Sequence, residues 1–158
     1  MILLHANCVA FNDVGVLLRG QPGIGKSDLT LRLIERGYAR FVADDQTLLR
    51  VEGQAITAAP APGLEGLLHV TQVGIIRRDF SESVRLGLIV DLVSLDESLN
   101  LPLLPEMESE TLLGVALPRL SLCALTDSAP EKVRCALEGV ANGEIGLPKP
   151  AGQGIVEK

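Results

Sequence analysis

Between Val14 and Asp45 the hydrophobic period of the chain changes twice, and both changes fall on glycines. Val14-Gly-Val-Leu-Leu18 is a short, nearly continuous apolar run, the pattern of a buried strand. Gly20 to Gly25 is glycine-rich. From Lys26 the spacing is helical: Leu29, Leu33 and Ile34 share one face, Asp28, Arg32 and Glu35 another, and Gly37 is the stop. Phe41-Val42-Ala43 is a second buried strand, ending in Asp44-Asp45. Strand, loop, helix, strand is a βαβ unit with a right-handed crossover, so the chain is expected to be α/β.

The segment joining the first strand to the helix, Gly20-Gln21-Pro22-Gly23-Ile24-Gly25-Lys26-Ser27, matches the phosphate-binding pattern G-x-x-x-x-G-K-[ST]. Its glycines permit positive φ and let an anion approach the backbone. Successive N–H groups converge on that anion, and the helix presents its positive end. Lys26 is a cation for β- and γ-phosphates, and the Ser27 hydroxyl a ligand for Mg²⁺ bridging the same oxygens. A nucleotide with Mg²⁺ is the expected ligand pair.

The helix carries the chain away from the loop by on the order of 16 Å between Lys26 and Gly37. The return strand recovers roughly 13 Å from Arg40 to Asp44. Asp44 and Asp45 are therefore expected beside the phosphates, at the sheet edge where ligands of open α/β folds bind. Neighbouring side chains of an extended chain point to opposite faces. One aspartate is expected to face the transferred phosphoryl group, the other the metal or a supporting hydrogen bond.

The remainder is β-rich. Ile2–Phe11 reads as a strand, and Gln46–Glu52 and Gln54–Ala58 flank Gly53 as a hairpin. Leu67–Val70, Val73–Ile76, Leu86–Leu95 and Val115–Leu120 are further strands, and Leu99–Ser109 reads as irregular. A helix opens at Ser128-Ala-Pro-Glu131, a capping-box spacing with proline in the first turn, and ends at Asn142-Gly143. For 158 residues we expect one domain over 1–147 and a tail over 148–158.

Composition narrows the partners. One Tyr, three Phe and no Trp leave few platforms for stacking single-stranded nucleic acid, and a net charge of −6 gives no general attraction to a phosphate backbone. The start has no basic n-region, and the most apolar segment is broken by Asp91, so no membrane span is expected. Cys8, Cys123 and Cys135, an odd set without C-x-x-C spacing, suit a reducing cytoplasm.

Val14 through Asp28, then Leu33-Ile-Glu-Arg-Gly37, then Phe41-Val-Ala-Asp-Asp45, with His5 ahead of the loop, together resemble the catalytic domain of HPr kinase/phosphorylase. The similarity runs from His5 to about Ile76 and more loosely to the last helix. It implies a small P-loop α/β domain related to the phosphoenolpyruvate carboxykinase nucleotide-binding core, with a β-rich mixed sheet and a C-terminal helix. The chain looks like a short form without the family's N-terminal domain. The implied reaction is ATP-dependent phosphorylation of a serine of HPr, a carrier of the sugar phosphotransferase system, and its reversal by phosphorolysis. Family members assemble as hexamers, which leaves a homo-oligomer open here. By this resemblance the loop glycines, Lys26 and Ser27 hold the nucleotide phosphates and Mg²⁺, Asp44 is the general base, Asp45 supports that carboxylate or the metal, and His5 lies near the transferred phosphate.

One segment departs from the family. Its signature L-E-V-R-G-L-G-I, whose Glu helps hold a metal ion, aligns with Leu68-His69-Val70-Thr71-Gln72-Val73-Gly74-Ile75. His69 replaces that Glu and Thr71 the Arg; imidazole is a poorer Mg²⁺ partner than an oxygen ligand, and Glu65 is the nearby carboxylate that would substitute. Arg119 is the nearest candidate for the family's phosphate-sensing arginine. Arg77-Arg78 reads as a second phosphate contact or a solvated face. Two alternatives follow: a nucleotide-binding regulatory module of weakened catalysis, and a P-loop kinase acting on a different substrate.

Overall fold

The computed structural model describes residues 1–106 and 108–143; the tail expected over 148–158 lies outside them. In chain order the elements are β1 (Ile2–Leu4), β2 (Asn7–Phe11), β3 (Val14–Arg19), α1 (Lys26–Glu35), β4 (Arg40–Ala43), β5 (Thr47–Glu52) and β6 (Ala55–Pro60). There follow β7 (Leu67–Val70), β8 (Gly74–Arg77), β9 (Val84–Val93), α2 (Leu95–Ser98), β10 (Glu108–Leu112), β11 (Val115–Cys123) and α3 (Ala129–Ala141).

Val16, Leu17 and Leu18 are all fully buried, so β3 must be covered on both faces. The cover comes from two distinct cores. Val16, Leu18, Leu88 and Val90 pack with Leu29 and Leu33 of α1 and Val133 and Leu137 of α3. Leu17, Leu86 and Ile89 point the other way, into a cluster with Cys8, Leu49, Ile56 and Leu117. Successive residues of β3 alternate between these layers, whereas in β9 the alternation slips at Gly87, so that Leu86 and Leu88 face opposite cores.

Nine strands make one mixed sheet in the order β1-β5-β6-β9-β3-β2-β4, with β11 also on β9 and β10 on β11. β9 is its spine. β3 runs parallel along one side of it; β6 pairs with its first residues on the other side, and β11 runs parallel to its second half. β7 and β8 form a separate hairpin.

Several sequence expectations change in detail. Ile2–Phe11 is two strands, because β1 pairs with β5 whereas β2 lies between β3 and β4. β3 and β4 are both antiparallel to β2, hence parallel to one another but not neighbours. Leu95 starts a helix instead of ending a strand, and Glu108-Ser109 belong to β10. The capping box forms at Ser94 and Glu97, not at Ser128. Glu131 instead meets the Arg36 guanidinium and the Tyr38 hydroxyl, a charge-assisted pairing that outcompetes a reciprocal cap.

Candidate active site

The glycine-rich loop leaves β3 and bends back onto α1 through a turn in which the Ile24 N–H donates to the Gln21 carbonyl. Gly25 caps the helix at φ 111°, and Gly23 takes φ 82° with open space where a Cβ would stand. Both angles favour glycine. The N–H groups of Gly23, Gly25, Lys26 and Ser27 have no acceptor among the described residues. They are orphan donors at a helix N-terminus, the arrangement that binds an anion. The Lys26 ammonium folds over the loop and donates to the carbonyls of Gly20 (2.6 Å) and Gln21 (3.1 Å). Burial pulls its pKa below the ordinary lysine value, against the opposing charges of Asp45 and Asp44.

The end of β4 brings the aspartates to this loop. Asp44 Oδ1 accepts from the Ser27 hydroxyl at 2.6 Å and from Asn7 Nδ2 at 2.8 Å, and Oδ2 accepts from the His69 N–H at 2.9 Å. Asp45 takes φ 68° and turns elsewhere: its carboxylate lies 3.4 Å from His5 Nδ1, both side chains half exposed. The hydroxyl partner of Ser27 is thus Asp44, whereas sequence reasoning grouped Ser27 with Asp45 at the metal. The positive φ of Asp45 breaks the simple alternation assumed for an extended pair.

Asn7 was missed. Fully buried in β2, it spends its whole amide on the site: Nδ2 on Asp44 and Thr30 Oγ1, and Oδ1 on the Asp45 N–H. Thr30 in turn donates to the Lys26 carbonyl. A polar amide inside an otherwise apolar strand was the available signal, since a buried amide demands partners.

The other candidates make no side-chain hydrogen bond or ion pair to this cluster among the described residues. The His69 imidazole is not what reaches Asp44; its main chain is. Arg119 is held by Asp91, Glu108 and Glu110, and Arg78 by Glu35 and the Arg77 carbonyl. Arg19, directly before the loop, forks onto both Asp91 and Glu110; against the opposing effect of burial, its hydrogen bonds and that of Arg119 hold the Asp91 carboxyl below its usual range, and its hydrogen bonds hold Glu110 low as well. A cavity of about 500 Å³, lined by Tyr38, Arg40, Phe41 and Asp79 among others, lies at the far end of α1 from the loop.

No cluster of three or more His, Cys, Asp or Glu among the described residues would hold a metal by itself. The adjacent oxygens of Ser27 and Asp44 nevertheless fit Mg²⁺, which takes few protein ligands and completes its shell with phosphate oxygens and water. Among the described residues no helix is long and apolar enough to cross a membrane.

Fold and loop together define a P-loop-type α/β domain. The HPr Serine kinase C-terminal domain family model matches residues 1–129, and the chain belongs to that family. HPr kinase/phosphorylase of Geobacillus thermodenitrificans is 35% identical over 128 residues, 75% of this chain and 41% of that protein. HPr kinase/phosphorylase of an Exiguobacterium species is 42% identical over 77 residues, 48% of this chain and 24% of that one. The chain thus matches less than half the length of these relatives. The solved Hpr(Ser) kinase/phosphatase from Coxiella burnetii superposes with a TM-score of 0.78 at 25% identity, covering 90% of this chain and 92% of that one.

Proposed function

We propose that this domain transfers the terminal phosphoryl group of ATP, with Mg²⁺, to a serine hydroxyl of an HPr-type carrier, and catalyses the reverse phosphorolysis. The observation that carries the reading is the Lys26–Ser27–Asp44–Asp45 cluster at a loop where the N–H groups of Gly23, Gly25, Lys26 and Ser27 have no acceptor among the described residues. Phosphoryl transfer needs mainly positioning and charge neutralisation, and these residues cover both.

In this reading the loop N–H groups cradle the phosphates, and Lys26 exchanges its loop carbonyls for phosphate oxygens. Mg²⁺, held by Ser27 and Asp44, would neutralise charge on those oxygens. Asn7 and the His69 N–H keep the Asp44 carboxylate turned toward Ser27. Asp45, exposed and free of the Ser27 contact, is the better candidate for receiving the serine proton, with His5 orienting it or sharing that proton. This exchanges the roles that the family resemblance implies for the two aspartates.

The test is incubation of the chain with Mg-ATP and HPr, reading phosphoserine. Asp45→Asn is expected to lower kcat by on the order of 10²-fold with ATP affinity retained, and Asp44→Asn to raise the Mg²⁺ requirement. ATP binding without phosphoserine in the parent would favour the regulatory module. The observation behind that second reading is His69, which offers Asp44 a main-chain N–H and no carboxylate of its own.

A further inference from the structure

Phosphates seated on the loop leave the rest of a nucleotide two directions along the sheet edge. On the β2–β4 side stand Asp44, Asp45 and His5, groups that carry charge and protons. On the other side the parallel strands β9 and β11 end close to β3, with Arg19 paired to Asp91 and Cys123 to Val93. Their ends back the loop directly. A Cβ on Gly20 would stand 3.1 Å from the Leu92 carbonyl oxygen, and one on Gly25 would stand 3.0 Å from Ala124 Cβ and 3.9 Å from Leu125 Cδ2.

Leu125 therefore flanks the phosphate loop, yet it is 64% exposed. Leu95, just past the end of β9, is 51% exposed. The Leu125 segment is tied down: Arg32 donates to the carbonyls of Ala124 and Thr126, and the Leu125 N–H donates to Cys123 Sγ. Leu95 and Leu125 each stand two residues past the paired Val93 and Cys123, and two large apolar side chains exposed side by side in the chain register next to an anion-binding loop have the character of ligand surface.

We propose that Leu125, with Leu95 at the neighbouring strand end, forms the apolar shelf that receives the base of a nucleoside triphosphate whose phosphates occupy the loop. The proposal rests on the nucleotide reading above and adds to it the direction and the recognition of the base. Leu125 contributes area removed from water and no charge, so its effect must vanish for a ligand that has phosphates but no base.

Calorimetric titration of the full chain with Mg-ATP and with inorganic tripolyphosphate plus Mg²⁺ separates the two parts. The parent is expected to bind ATP about tenfold more tightly than tripolyphosphate. Leu125→Ser is expected to weaken ATP by about tenfold and leave tripolyphosphate within about twofold, and Leu125→Met to retain parental ATP affinity. Val73→Ser, on the exposed β7–β8 turn, is expected to change neither. Equal affinity of the parent for both ligands, or equal weakening of both by Leu125→Ser, overturns the shelf and leaves the phosphate loop standing. Binding of neither ligand to the parent overturns the nucleotide reading and the shelf together.

Discussion

Asn7 joins three parts of the site that are far apart in the chain: the Asp44 carboxylate, the Asp45 main chain and the Thr30 hydroxyl. Replacing it by Leu removes the amide and leaves buried polar partners unpaired, at a cost of about 1–3 kcal/mol. Chemical denaturation of Asn7→Leu checks this; the same variant is expected to lose turnover beyond its loss of stability, because Asp44 is released. Lys26→Ala is expected to abolish measurable ATP binding by calorimetry and to lower turnover by at least about 10²-fold, since the only loop cation is removed. His69→Ala, in contrast, keeps the main-chain donor and is expected to change kcat by less than about twofold in the phosphoserine assay. The sequence made Lys26, Ser27 and the aspartates legible because each stands in a local pattern. Asn7 had no such pattern, and its importance is set by contacts up to 38 residues away.

Among the elements, α1 and α3 are joined at their solvent edge by Glu131, which accepts from Tyr38 Oη and from the Arg36 guanidinium. Those hydrogen bonds, the tyrosine's first, lower its pKa from 4.5 to about 2. The folded state therefore binds this proton less readily than the unfolded chain, and the contribution is present above about pH 4.5 and lost as pH falls toward 2. Glu131→Gln is expected to lower Tm at pH 7, and the difference from the parent is expected to disappear near pH 2 in thermal scans. The spacing of Ser128 and Glu131 suggested a local cap, but two partners from α1 and the turn after it won, because an ion pair with hydrogen bonds exceeds a neutral cap. Similarly, Arg119 was legible as an arginine near a strand end. Its capture by Asp91, Glu108 and Glu110 depends on β9, β10 and β11 lying side by side.

Across the whole molecule, stability resides in a sheet buried on both faces. Leu88 lies in its centre beneath the helices, fully buried, and Leu88→Ala is expected to cost about 2–5 kcal/mol by urea denaturation. The chain by itself determined the strand–loop–helix start, the glycine-backed anion cradle, the return to Asp44-Asp45 and the final helix, because turn chemistry and hydrophobic period act over a few neighbouring residues. Tertiary structure decided the splitting of Ile2–Phe11, the insertion of β2 between β3 and β4, and the partner of Ser27. The Ser27–Asp44 and Asn7–Asp45 contacts span 17 and 38 residues, and only the packed sheet brings such distant hydrogen-bonding groups together.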